Sequence, residues 1–292
     1  MLVAISAAAL AALASASPTT STASASIVFT GDREGDTHLY VVTSNGTGRR
    51  KLTSGNGFDL AAAWSPAHKR IAFTSTRESG TVAAQDLFLV NADGTGLRPL
   101  VATPRDESAP SWSPDGRSIV FSGDTTGRGG YDLYVVTVAT GKIRRLTTAR
   151  ALEGAPAWSP NGRWIAYARN GEIWLIRPDG TGAHGLGKVG AGTDWGPDWA
   201  PDSRRLAFES TSRTSSSKPL ALIWTMRSNG SGKRRLTPYV RRRPLDAVGA
   251  SWSPGGLQIV FTRGAQLWTM RADGSRVRQL TRGPGAAWGA DW

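Results

Sequence analysis

Four carboxylates recur at one fixed distance ahead of a tryptophan. Asp59, Glu107, Glu153 and Asp194 stand five residues before Trp64, Trp112, Trp158 and Trp199. In a fifth copy the acid is shifted to Asp246, ahead of Trp252, and in a sixth the place is Ala287, ahead of Trp292. Carboxylates converging in a ring would suit a hard cation or a basic peptide. The competing role is internal: each could cap backbone N–H groups or pair with a neighbouring arginine. Trp195 and Trp288 lie outside the repeat register, each four residues before a repeat tryptophan, and could stack on a sugar if they reach a rim. Arg241, Arg242 and Arg243, after Tyr239, form a basic run. A single such run is a solvated loop more often than a nucleic-acid contact, so no nucleic acid is expected.

Other chemistries find no residues to carry them. With no cysteine in the chain, a disulfide framework, a thiolate zinc site and a cysteine nucleophile are all excluded. No Gly-x-Ser-x-Gly elbow occurs. His38, His68 and His184 fall at inequivalent places and read as surface residues, so neither a metal nor a cofactor is expected. The Asp-Gly-Thr-Gly segments lack the further acids of a calcium loop and read as turns.

These residues sit in a repeat. Trp112-Ser-Pro-Asp-Gly-Arg-Ser-Ile-Val-Phe121 recurs from Trp64, Trp158, Trp199 and Trp252, and the tryptophans are spaced 48, 46, 41, 53 and then 40 residues to Trp292. Each unit reads as four short strands: one ending at the tryptophan, a Ser-Pro-Asp-Gly turn, an apolar triplet such as Ile71-Ala-Phe73, a Leu-Tyr-Val-Val strand and an Arg-Arg-Leu-Thr strand. Asn-Gly or Asp-Gly joins the last two in five of six units. Four antiparallel strands per ~40–45 residues make a propeller blade. Ile27-Val-Phe29 is a second strand lacking a first, and Ala290-Asp-Trp292 is a first lacking a second. The predicted fold is therefore all-β, a six-bladed β-propeller of four-stranded antiparallel blades over 26–292, closed by N- and C-terminal strands sharing one blade. On it the repeat tryptophans pack between blades, and the acids should encircle one mouth of the channel.

Residues 1–25 differ from the rest. Leu2 to Leu13 is a short apolar run followed by Ala14-Ser15-Ala16 and Ala23-Ser24-Ala25, the pattern of an export leader rather than of a membrane span. The formal charge of +13 suggests anionic partners. Its clusters (Arg49-Arg50-Lys51, Arg144-Arg145, Lys233-Arg234-Arg235) fall at one place per repeat, on the outer strand, where they would ring the molecule and discourage edge-to-edge pairing.

The Pro-x-Trp-Ser-Pro-Asp-Gly pattern, followed by Ile-Ala-Phe, Leu-Tyr-Val-Val and Arg-Arg-Leu-Thr, resembles the TolB-type, WD-repeat-like propellers of bacterial envelope proteins over residues 27–292. TolB carries an α/β domain ahead of its propeller, and here the leader is expected to run into Ile27 without one. The resemblance and the leader together imply a secreted or periplasmic, non-catalytic, monomeric scaffold that binds a protein or peptide of the cell envelope. The alternative is a carbohydrate-active or lyase-type propeller working at the acidic mouth with Trp195 or Trp288. Loops between second and third strands share a face with the inter-blade connections and are long and irregular, so that face is the one expected to meet a partner.

Overall fold

The computed structural model describes residues 26–33, 36–77, 85–104, 106–124, 130–212, 220–238 and 245–292. They form six four-stranded antiparallel sheets and no helix. The sheet that closes the ring, blade 1, places Ala286–Asp291 innermost, followed by Ser26–Arg33, Asp36–Thr43 and Arg50–Lys51. Blades 2 to 6 begin with the innermost strands Asp59–Trp64, Glu107–Trp112, Glu153–Trp158, Asp194–Trp199 and Ala247–Trp252, each followed outward by three strands in chain order. Thr30 pairs with Trp288 and Gly31 with Ala287, so the two ends of the described chain meet in one sheet as expected.

Each second strand is buried along nearly its whole length because both faces of its sheet are covered by neighbouring blades. The repeat's aromatic end, Phe29, Phe73, Phe121, Tyr167, Phe208 and Phe261, is fully buried in all six copies. Each such ring removes roughly 150–250 Å² from water, the main apolar contribution of the blade. Trp64, Trp112, Trp199, Trp252 and Trp292 are buried beside them.

The threonine of each Leu-Thr pair fastens the outer end of a blade. Thr53, Thr147, Thr237 and Thr281 accept the N–H of Leu39, Leu133, Ile223 and Leu267 at 2.9–3.0 Å. The outer-strand arginines do more than guard an edge. Arg50 donates to the carbonyls of Ala92 and Asp93, Arg144 to Pro178, Arg234 to Asp273, and Arg278 to Ser44, each in the next blade. They are clamps between blades, and their acceptors are backbone carbonyls of the turns joining third and fourth strands.

Those turns require glycine. Gly230 lies at φ 80°, and a Cβ built on it would come within 2.5 Å of the Leu186 carbonyl oxygen in the preceding blade. Gly230→Ala must therefore move one blade relative to the next as well as adopt a disfavoured backbone. A loss of about 2–3 kcal/mol is expected in urea melts, against about 1 kcal/mol for alanine at Gly141, where φ is 68° but an added Cβ meets nothing.

Candidate functional site

The innermost strands enclose a channel of about 280 Å³ lined by short side chains, among them Ala62, Pro110, Ser111, Pro156 and Ser251. Each strand carries a bulge three residues before its tryptophan. Ala61, Ala109 and Ala155 sit at φ 48°, 52° and 48°, and Gly196, Gly249 and Gly289 at 56°, 62° and 58°. The ladder shifts register at the same places, which turns backbone edge toward the axis.

The residue just before each tryptophan decides how that edge is satisfied. Trp64 N–H donates to Asp291 Oδ2 at 2.7 Å and Trp252 N–H to Asp198 Oδ2 at 2.8 Å. Trp158 and Trp292 N–H donate to the hydroxyls of Ser111 and Ser251 at 3.0 and 3.3 Å. Where the preceding blade has alanine, the indole works instead: Trp112 and Trp199 Nε1 donate to the carbonyls of Ala63 and Ala157, both at 3.1 Å. Asp198 and Asp291 are the charged side chains of the channel wall. Burial, reinforced by repulsion from Asp291, pushes the Asp198 carboxyl up to about 7. Burial also raises Asp291, although it accepts hydrogen bonds from Trp64 and Ser251. Glu209, under the bulge of the same blade as Asp198, accepts Gly249 N–H at 2.6 Å and is pushed by burial to about 7.

The four regularly spaced acids lie at the seams between blades. Asp59 is fully buried and accepts Thr53 Oγ1 at 2.6 Å, Ser75 Oγ at 2.7 Å and a two-oxygen grip from Arg77 Nη2 at 2.7 Å. Its neighbour His38, expected at the surface, is 1% exposed with Nδ1 3.4 Å from that carboxylate. The surface expectation fails there because His38, within the third strand of blade 1, faces the acid of blade 2 rather than solvent. Glu107, also buried, is bonded by Thr103 Oγ1; burial first, and the Asp86 charge, hold it up to about 7. Glu153 is buried and raised by burial, with Arg169 Nε at 3.6 Å. Asp194 accepts Val189 N–H at 3.0 Å and is likewise raised by burial. Asp246 is exposed and caps Ala221 N–H at 2.8 Å. Arg241, Arg242 and Arg243 lie outside the described residues.

Around the loop-side mouth several apolar side chains are exposed. Trp195 is 36% exposed and leans on Gly154 of the neighbouring blade; Trp288 is half-buried on the closing strand. Phe58, Leu152 and Leu245, just ahead of three innermost strands, are exposed beside them. Sequence reasoning missed Asp198, Asp291 and Glu209. A signal existed for the first two, since every copy has a small or polar residue before its tryptophan. Among the described residues no group of three or more His, Cys, Asp or Glu is placed to hold a metal ion, and no helix is long and apolar enough to cross a membrane.

Six radial sheets around an axial channel, sealed by one strand from the far end of the chain, define a six-bladed β-propeller. Residues 79–237, more than half of the sequence, match the TolB beta propeller domain, and the chain belongs to that family. Residues 12–125 also match the N-terminal region of dipeptidyl peptidase IV. No curated protein sequence matches it. Among solved structures, TolB from Acinetobacter baumannii is similar at 20% identity and a TM-score of 0.76, over 91% of this chain and 66% of that one. The chain thus spans slightly less than two thirds of that TolB. Oligogalacturonate lyase from Vibrio parahaemolyticus is similar at 13% identity and a TM-score of 0.59, over 87% and 74% of the two chains. The nidogen/laminin complex contains a chain similar at 11% identity and a TM-score of 0.70, over 91% and 97%. At these identities the likeness concerns the fold.

Proposed function

We propose that this TolB-type propeller is an extracytoplasmic scaffold of the cell envelope that binds a protein or peptide at the loop-side mouth of its channel. The observation that carries this reading is the apolar collar. Phe58, Leu152, Trp195 and Leu245 are exposed on four different blades, each at the start of an innermost strand. Exposed aromatic and aliphatic side chains grouped on rigid elements are the usual anchors of an interface. Farther along the same strands, near the turn-side end of the channel, the wall carries the carboxyls of Asp198 and Asp291, each already accepting a backbone N–H from a neighbouring blade. The regularly spaced acids contribute by fixing the blades that carry the collar. The leader pattern of residues 1–25 supports export.

The test compares capture from an envelope extract by the full chain and by Leu152→Ser/Trp195→Ala/Leu245→Ser. One envelope polypeptide retained by the first and reduced by at least about tenfold on the second, with unchanged melting, is the expected result. Equal capture by both would sink the mouth as the binding site. Glycan cleavage abolished by Trp195→Ala would replace the scaffold reading with a carbohydrate-active one.

A further inference from the structure

The charge of this molecule is segregated by face. The turns joining first to second strands and third to fourth strands all emerge on the side opposite the loop-side mouth. Counted with the strand residues that flank them, they span 43–50, 65–70, 91–98, 113–118, 137–144, 159–164, 177–184, 200–205, 227–234, 253–258 and 271–278. Together they carry eighteen Lys or Arg and five Asp, a surplus equal to the whole formal charge of +13. The remaining seventeen basic and seventeen acidic residues of the sequence cancel. Of the basic clusters expected to ring the molecule, Arg49, Arg50, Arg144, Lys233 and Arg234 belong to this set, while Lys51, Arg145 and Arg235 do not.

The cations there keep their charge. Arg50, Arg144, Arg234 and Arg278 bond to backbone carbonyls, which neutralise nothing. The five Asp are exposed and each is bonded within its own turn: Asp93 and Asp179 accept both the N–H and the hydroxyl of the threonine two residues on. Arg205 pairs with Asp202 at 3.1 Å within one turn. Five residues after each repeat tryptophan stands an exposed residue of the innermost turns: Lys69, Arg117, Arg163, Arg204 and then Leu257. Leu257 is 74% exposed in the midst of this charge, with Leu97 and Ile143 exposed farther out on the same face.

We propose that the turn face is a peripheral docking surface for an anionic lipid bilayer, with Leu257 entering the interface and the surrounding Lys and Arg lying over the headgroups. Its innermost turns are short, five residues between strands in four blades and six in another, and a ring of short cationic turns suits a plane of anionic headgroups. A nucleic acid would be met by a groove or by aromatic platforms. An isolated leucine projecting from a cationic plane gains nothing from a soluble polyanion, whereas at a bilayer it leaves water. Docking by this face leaves the opposite face, with its apolar collar, pointing away from the membrane.

The experiment is flotation of the full chain with vesicles of phosphatidylcholine, alone or with about one third phosphatidylglycerol. Binding to the anionic vesicles should exceed that to neutral ones by at least about tenfold and be lost near 0.5 M salt, where the screening length is about 4 Å. Arg117→Glu/Arg163→Glu/Arg204→Glu should abolish flotation, and Leu257→Ser should weaken it several-fold while leaving the salt dependence. The control, Arg150→Glu/Lys188→Glu/Arg282→Glu, changes net charge equally on the loop side and should float like the unaltered chain. Equal loss in both triple variants, equal binding to neutral vesicles, or retention on heparin or DNA without flotation would overturn the proposal. The turn-face variants lie away from the collar, so envelope capture reads the other face independently.

Discussion

Deleting residues 286–292 will leave a chain that is unfolded, or associated through its open edge, under conditions where the full chain is a cooperative monomer. The deleted strand is the innermost strand of blade 1, and among the described residues every other strand already belongs to a sheet. It carries Ala287, Ala290 and Trp292, buried against Ile27, Phe29, Tyr40 and Val260. It also carries Asp291, which accepts Trp64 N–H in blade 2 and Ser251 Oγ in blade 6. Without it the ladder edge of Ser26–Arg33 and the apolar flank of blade 6 are exposed together. A ring has no partial closure, so the cost is on the order of the whole stability of such a domain, about 5–15 kcal/mol. Circular dichroism and sedimentation of the truncated chain would show the loss. Adding a peptide of residues 283–292 should restore the native melt, by the mass action of a ligand bound only by the folded state. A truncated chain that melts like the full one would mean that closure does not hold the ring.

The architecture was legible in the sequence because its determinants are local and repeated. Trp-Ser-Pro-Asp-Gly specifies a turn by chemistry, Ile-Val-Phe a buried strand by type, and the incomplete first and last units announced their own pairing. The destination of the carboxylates was not legible. The bulge at Ala61, Ala109 and their equivalents breaks the two-residue alternation of the innermost strand, so counting along it does not tell whether Asp59 faces the axis or the seam. The outer arginines were half legible: their acceptors are main-chain carbonyls of another blade, which leave no mark on the sequence. Asp198 and Asp291 stand where other copies have alanine or serine, so they looked like variation in a packing position. His38 shows the same limit, being a seam residue whose partner, Asp59, belongs to the following blade.

Stability should fall as the medium is raised from about pH 4.5 to about pH 7 and then level off. Three carboxyls drive this. Glu107 and Glu209 are lifted from 4.5 to about 7, and Asp198 from 3.8 to about 7, in each case first by burial. In that window the folded chain holds protons that the unfolded chain has released, so unfolding becomes easier as pH rises. The stabilisation tied to each protonated carboxyl is fully present below the unfolded value and is lost as pH passes through the folded one. For Glu107, which is inaccessible to solvent, the span corresponds to a change on the order of 3 kcal/mol. Glu107→Gln keeps an acceptor for Thr103 Oγ1 and imitates the protonated acid beside Asp86. It should therefore match the unaltered chain at pH 4.5 and exceed its stability at pH 8. Asp198→Asn should act the same way, since its amide oxygen can still receive Trp252 N–H while the repulsion with Asp291 disappears. Urea melts at pH 4.5, 6 and 8 give the slopes directly. A chain whose stability rises over that range, or a Glu107→Gln variant parallel to it, would mean that these carboxyls are ionised inside the folded ring.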